Sequence, residues 1–240
     1  MKDRFTTVKK AVCYVLGILI IAIGINFSRR CGMGISPVSS LPGVLENVVG
    51  WTLGAWTIIV YCVLVLLQIV VLGKNFRLKG LLGIVLAVGF GFVVDLFRIK
   101  QEAQFFGLDI SAIGAWLKWL PAPENYLAQL GYCALGMIII AIGVFLYVRV
   151  GWVAMPAEGL AAAIAERSGK KFGDCKTLVD VSMILSALII QIIFMGFSCF
   201  TDGTAIVREG TIFAAVLVGQ LVKLISKFFG KKYDKFLGKE

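Results

Sequence analysis

The chain has 240 residues, of which 59% are hydrophobic and 16% are charged, with a mean hydropathy of +0.92. So much apolar surface does not fit inside one water-soluble core of this size, so the composition excludes an ordinary soluble domain and indicates a bilayer protein. The chain contains no histidine, which excludes histidine-based acid–base catalysis, a Ser-His-Asp triad and histidine metal ligands.

Six mostly apolar windows follow one another along the chain, and each has about the length that crosses roughly 30 Å of hydrocarbon. They cover residues 12–27, 53–72, 81–97, 126–147, 178–195 and 211–228. We expect the first window to be a retained span, because Cys31-Gly32-Met33-Gly34 provides no convincing small-x-small cleavage site and the window has a counterpart deep in the chain. The sequence therefore predicts an all-α integral membrane protein with six transmembrane helices.

The segment after the first span, residues 33–48, is polar and carries two prolines. It is too short to be a convincing crossing and is predicted to form a re-entrant or interfacial half-helix. Ser36 and Pro37 are typical of the N-cap and first position of a helix. Residues 153–167 are predicted to form a second half-helix of the same kind, with a single proline, Pro156, at the helix start and Glu158 in the first turn.

The segment between the third and fourth spans, residues 98–125, is predicted to be an outer linker. Apolar residues recur in it at helical spacing: Ile110, Ile113, Trp116, Leu117 and Leu120. This pattern predicts a short amphipathic helix on the membrane surface. The tryptophans favour interfacial anchoring, with a lid over a binding site as the alternative.

The chain contains an internal duplication. Residues 16–24 recur as residues 135–143, a shift of 119 positions. Pairs outside the apolar windows match at the same shift: Arg30 with Arg149, Gly32 with Gly151, Pro37 with Pro156, and Leu41 with Leu160. Three crossings per repeat would place the second repeat upside down, so residues 1–97 and 126–240 are predicted to be inverted repeats, as in many transporters. The alternative is a chance resemblance between apolar helices.

The basic residues are distributed unevenly between the predicted loops. With the N-terminus inside, residues 1–11, 73–80, 148–177 and 226–240 hold 17 Lys and Arg, and residues 28–51, 98–125 and 196–210 hold 6. Basic loops stay in the cytoplasm, so both termini are predicted to be cytoplasmic. The net charge of +10 follows this membrane face, which favours contact with anionic membrane lipid over nucleic acid.

Several chemistries lack support in the sequence. The six cysteines form no C-x-x-C pair, so no zinc or redox site is expected. No phosphate-binding loop of the G-x-x-x-x-G-K-[ST] form occurs, which excludes an ATP-driven motor. We therefore expect no enzyme activity, no catalytic residues, no metal and no cofactor.

The remaining polar groups lie where a bilayer makes them costly, and they are the candidate site. The predicted solute-binding residues are Arg30, Ser36, Ser39, Gln68, Glu158 and Gln191. Asp95 and Asp180 are predicted to couple a proton, with hydration or pairing to Arg98 or Lys176 as the alternative. Packing between helices is the alternative for the two glutamines, which occupy equivalent positions in their spans.

Three groups of residues carry a resemblance to a known family. They are Gly32-x-Gly34-Ile35-Ser36-Pro37 followed by Leu41, Gly151 leading to Pro156-Ala157-Glu158-Gly159-Leu160, and Gly210-Thr211-Ile212 with Gly219. In them the chain resembles the YczE/YyaS/YitT family of bacterial multi-pass membrane proteins. The resemblance covers nearly all of the chain except residues 98–125, and it implies a bacterial inner-membrane protein with a transport role.

Together these features predict a secondary transporter of a small anionic or zwitterionic solute. Two helix N-termini aimed at a shared cavity would supply free N–H groups for an anionic part of that solute. The alternative is a membrane-embedded binding or regulatory subunit that acts with a partner protein. The expected assemblies are a homodimer or a complex with a partner membrane protein.

Overall fold

A computed structural model describes residues 2–238, with side chains from Thr6 onward, and it is helical through most of that range. The helices are α1 (Lys2–Arg30), α2 (Pro37–Val49), α3 (Leu53–Leu72), α4 (Leu82–Leu96), α5 (Tyr126–Val150), α6 (Pro156–Ser168), α7 (Phe172–Met195), α8 (Ser198–Thr201) and α9 (Glu209–Phe236). Two 3₁₀ turns, Gly73–Asn75 and Leu78–Leu81, join α3 to α4.

All six predicted apolar windows lie in helices. Within residues 2–238, six helices are long and apolar enough to cross a membrane: α1, α3, α4, α5, α7 and α9. Local chemistry fixes several boundaries. The Thr52 side chain caps α3 by accepting the Ala55 N–H, and the Asn125 side chain caps α5 by accepting the Ala128 N–H.

Two short helices of 13 residues each, α2 and α6, lie between the long ones. Each has a proline in its first turn, where the missing N–H costs no helical hydrogen bond. Each ends at a glycine in the left-handed conformation, Gly50 with φ +91° and Gly169 with φ +68°. The proline and glycine signals therefore set the length of both helices.

The α1–α5 interface is the most extensive in the bundle. A Cβ placed on Gly17 would lie 2.8 Å from the Gly143 carbonyl oxygen, and one on Gly24 would lie 3.1 Å from the Gly136 oxygen. An early residue of α1 thus faces a late residue of α5, and a later one faces an earlier one, so the two helices run antiparallel. Glycine at these positions permits backbone contact that any larger residue would prevent.

The remaining helices pack around this pair. The short helix α2 lies against α3 and α7, while α6 lies against α7 and α3. Helices α3 and α4 are in close contact, whereas α7 and α9 touch only slightly. At one end of the bundle Lys9 lies over the Phe236 ring, 4.7 Å from its centroid, so the beginning of α1 and the end of α9 share a face.

The linker between α4 and α5 differs from its prediction. In place of an amphipathic helix, it forms a small β-hairpin of β1 (Gln104–Phe105) and β2 (Leu108–Asp109), followed by turns. Positive φ values at Gly107 (+83°) and Gly114 (+82°) interrupt the helical spacing. Arg98 holds the linker to the bundle by donating to the carbonyl oxygens of Asp95 and Ile110 at 3.2 and 2.7 Å.

Candidate functional site

The start of α2 is built from serines. Ser36 occupies the N-cap position, and its hydroxyl donates to the Ser39 hydroxyl at 3.0 Å. Ser39 is buried, and Ser36 is partly buried. The backbone just before α2 is held by α9, because the Gly210 N–H donates to the Met33 carbonyl oxygen at 2.8 Å. The two predicted serines therefore form one polar pair inside the bundle.

The start of α6 is held by α3. The Gln68 amide donates to the Pro156 carbonyl oxygen at 2.9 Å. A Cβ on Gly159 would lie 2.8 Å from Gln68 Oε1, so glycine at this position permits the close approach. Glu158 lies in the same first turn and is half-buried. The structure thus brings together two predicted site residues, Gln68 and Glu158.

Three tyrosines pack against the first turn of α6, which carries Glu158. Tyr14 from α1, Tyr61 from α3 and Tyr147 from α5 belong to the same buried cluster as Met155, Ala157 and Leu160 on either side of Glu158. The Tyr14 hydroxyl donates to the Val153 carbonyl oxygen at 2.8 Å, and its ring meets that of Tyr147 edge-on at 6.1 Å. We call Tyr14, Tyr61, Tyr147 and Glu158 the tyrosine–glutamate cluster.

Gln191 lies elsewhere and has different partners. Its side-chain oxygen accepts the backbone N–H groups of Ile206 and Val207 at 2.8 and 2.9 Å, and the residue is fully buried. It therefore fastens the loop before α9 to α7. This geometry favours the packing alternative for Gln191, because its acceptor oxygen is already occupied by two donors.

The two duplicated arginines have different surroundings. Arg149 donates to Ser226, to the Gly230 carbonyl oxygen at 2.9 Å and to the Asp234 carboxylate, so it ties α5 to α9. Arg30 is partly buried, and its Nε has no hydrogen-bond partner within residues 2–238. The two predicted proton-coupling acids also differ, since Asp180 pairs with Lys176 one turn away.

Asp95 lies at the linker end of the bundle and caps α3. Its carboxylate accepts the Thr52 hydroxyl at 2.5 Å and the Gly54 N–H at 2.9 Å, and it is 4% exposed. It borders a polar pocket of about 770 Å³. Charged residues line this pocket, among them Arg29 and Glu46, which form an ion pair at 2.6 Å. Burial lowers the pKa of Arg98, which also lines the pocket, while Asp95 and Asp109 oppose that shift.

The predicted site residues therefore fall into separate groups. Ser36 and Ser39 form one, Gln68 and Glu158 form another, and no hydrogen bond or ion pair joins the two groups within the described part of the chain. Sequence reasoning missed Tyr14, Tyr61 and Tyr147. The signal that could have identified them is a tyrosine hydroxyl in each of three mostly apolar windows. In residues 2–238, no group of three Cys, Asp or Glu side chains is placed to hold a metal ion.

Comparisons with known proteins agree with the resemblance drawn from the motifs. The "Uncharacterized protein YyaS" of Bacillus subtilis (strain 168) is 24% identical over 182 residues, which cover 76% of this chain and 81% of the relative. The "Uncharacterized membrane protein YczE" of the same organism is 24% identical over 211 residues, covering 88% of this chain and 82% of the relative.

No solved structure matches this chain. The family described as "Family of unknown function (DUF6198)" matches residues 8–227, which is most of the sequence. The chain is therefore a multi-pass membrane protein of the DUF6198 family.

Proposed function

We propose that this protein is a secondary transporter of a small anionic or zwitterionic solute across the bacterial inner membrane, with both termini in the cytoplasm. The proposal treats residues 1–97 and 126–240 as two repeats inserted in opposite orientations. Solute sites in such proteins lie at the interface between the repeats, where interrupted helices expose backbone groups.

The observation that carries the proposal is the reciprocal packing of equivalent elements. Under the duplication α1 corresponds to α5, α2 to α6 and α3 to α7. Helix α2 contacts both α3 and α7, and α6 contacts both α7 and α3. Gly17 faces Gly143, and Gly24 faces Gly136. The shift of 119 positions turns Gly17 into Gly136 and Gly24 into Gly143, so each of these contacts is the counterpart of the other. A two-fold axis between antiparallel α1 and α5 accounts for this pattern.

The depth of the half-helices also supports the proposal. A Cβ on Gly136, the eleventh residue of α5, would lie 2.3 Å from the Ser28 hydroxyl oxygen near the end of α1. The chain that leads into α2 therefore starts beside the interior of α5 and not beside its end. The chain that leads into α6 likewise passes beside the interior of α1, because the Val153 carbonyl oxygen accepts a hydrogen bond from the Tyr14 hydroxyl. Both connections favour re-entrant half-helices over interfacial ones.

Transport is tested by uptake into proteoliposomes that contain the purified protein. We would offer radiolabelled amino acids and organic acids, with and without an imposed proton gradient, and use protein-free liposomes as the control. Uptake of at least one solute that depends on the protein supports the proposal. A folded, reconstituted protein that moves none of them would contradict it.

One observation favours the second candidate, a membrane subunit that acts with a partner protein. Only 6% of the α9 span is buried inside the chain, compared with 50% for α5. An apolar groove of about 660 Å³ runs between α9 and α5. A partner helix in that groove would co-purify in native lipid discs, and mass spectrometry would identify it. A protein that is isolated alone from native membranes would contradict this candidate.

A further inference from the structure

Glu158 is an acidic residue without an ion-pair partner in the described part of the chain. The residue is half-buried at the start of α6, and no Lys or Arg side chain between residues 6 and 238 forms an ion pair with it. Charged side chains in membrane segments are costly unless they have a partner. The N–H groups of the first helical turn interact favourably with an acid there but supply only partial charge.

Two basic residues on the helices before and after α6, Arg149 and Lys176, bind other groups. Arg149, which matches Arg30 in the duplication, binds Ser226, Gly230 and Asp234 on α9. Lys176 pairs with Asp180 on its own helix. Arg149 and Lys176 therefore have carboxylate partners of their own, Asp234 and Asp180.

A second feature next to Glu158 is the buried hydroxyl of Tyr147. Tyr147 is 2% exposed, and its hydroxyl has no hydrogen-bond partner in the described residues. That hydroxyl faces Glu158. The rings of Tyr14, Tyr147 and Trp152 are in mutual contact through Tyr14, at centroid distances of 6.1 and 5.7 Å. A carboxylate bordered by aromatic rings is the combination that recognises ammonium groups.

We propose that the tyrosine–glutamate cluster binds the ammonium group of an amine-bearing solute, with Glu158 supplying the charge and Tyr14, Tyr61 and Tyr147 the aromatic and hydroxyl contacts. This inference rests on the proposed transport function and narrows the solute to a zwitterion, whose ammonium group the cluster would bind. The anionic part of a zwitterion would bind to another part of the protein, since Arg149 already pairs with Asp234.

Binding is measured directly on the full-length protein in lipid nanodiscs. The probes are radiolabelled choline and methylammonium, with sodium and potassium chloride at matched ionic strength as competitors. The test variant is Glu158→Gln, which keeps the shape of the side chain and removes its charge. Its matched control is Glu166→Gln, an exposed acid on the same helix. Tyr147→Phe removes only the unpartnered hydroxyl.

We expect at least one ammonium probe to bind the unmodified protein and Glu166→Gln equally. Glu158→Gln should weaken that binding about tenfold or more, as for loss of a contact to a charged group. Tyr147→Phe should weaken it less. Equal binding to Glu158→Gln, competition by sodium or potassium as effective as by the amines, or no binding to the folded protein would each overturn the inference.

The two proposals fail in distinguishable ways. Ammonium binding at Glu158 without solute uptake by proteoliposomes would contradict transport and leave the site intact. Uptake that is unchanged in Glu158→Gln would contradict the site and leave transport intact.

Discussion

The second and third spans of each half are packed very differently in the two halves. In the first half a Cβ on Gly54 would lie 2.1 Å from the Gly91 carbonyl oxygen, so α3 and α4 touch backbone to backbone. The Asp95 carboxylate on α4 also caps the N-terminus of α3. In the second half α7 and α9 scarcely touch, and α9 is largely exposed.

The sequence explains why the second half is more open. Residues 68–73 align with residues 191–196 at a shift of 123 positions, and residues 80–89 align with residues 210–219 at a shift of 130. At these shifts Gly54 corresponds to Thr177 and Gly91 to Leu221. Asp95 corresponds to Ile225. The second copy therefore lacks both the glycine contact and the acidic cap. Leu221 and Ile225 line the groove against α5 instead.

Among the changes that test this comparison, Gly54→Ala should lower the free energy of unfolding most. The added methyl group would meet the Gly91 backbone and the Asp95 carboxyl, so α3 and α4 must separate. We expect a loss of about 3 kcal/mol in the free energy of unfolding, measured by denaturant titration in mixed micelles. Gly219→Ala on α9 is the control, because nothing lies within 4 Å of its Cβ position. An equal effect of the two changes would show that the halves are packed alike.

Asp95→Asn should have the next largest effect. An amide keeps the shape of the carboxylate but weakens its charge-assisted bonds to the Thr52 hydroxyl and the Gly54 N–H. We expect the free energy of unfolding to fall by about 2 kcal/mol. Asp180→Asn serves as the comparison, since its partner Lys176 lies on the same helix and such pairs are worth about 0.3–0.5 kcal/mol. A larger loss for Asp180→Asn would mean that Asp180 has a role beyond this pair.

Gln191→Leu and Gln68→Leu compare the equivalent polar residues of α7 and α3. Without Gln191, the N–H groups of Ile206 and Val207 lose their acceptor. Without Gln68, one carbonyl oxygen, that of Pro156, loses its donor. We expect losses of about 1.5 and about 0.5 kcal/mol respectively. Unfolding titrations of both variants measure the difference. The reverse order would indicate that α6 depends on α3 more than the hydrogen bonds suggest.

Phe229→Ala on α9 should have the smallest effect. Phe229 is 60% exposed and lines the groove between α5 and α9, so its truncation leaves no buried cavity. We expect a change within about 0.5 kcal/mol in the purified protein. The same change assayed in native membranes tests for a partner in the groove. A marked destabilisation of the purified protein would contradict the open packing of α9.

The parts of this structure that follow from local sequence were predictable. Six apolar windows and the prolines at positions 37 and 156 gave the spans and both short helices. Gln68 holds α6 through a hydrogen bond to the Pro156 carbonyl oxygen, a partner that could not be named from the sequence.

The parts that depend on distant contacts were not predictable. Tyr14, Tyr61 and Tyr147 come from three helices and meet only after the bundle has formed. The binding of Arg149 to α9 depends on residues far along the chain. In the linker, the apolar residues recur at helical spacing but form no helix, because the backbone turns with positive φ at Gly107 and Gly114.

The opposite orientation of the two halves is the central claim, and side-specific cysteine labelling tests it most directly. Asn47 on α2 and Glu166 on α6 are exposed and correspond under the shift of 119 positions. Five of the six native cysteines are buried and Cys62 is partly buried, so the parent protein serves as the background control.

In intact cells a membrane-impermeant maleimide should label Asn47→Cys, whereas Glu166→Cys should react only after the membrane is permeabilised. Labelling of both positions from the same side would contradict the account.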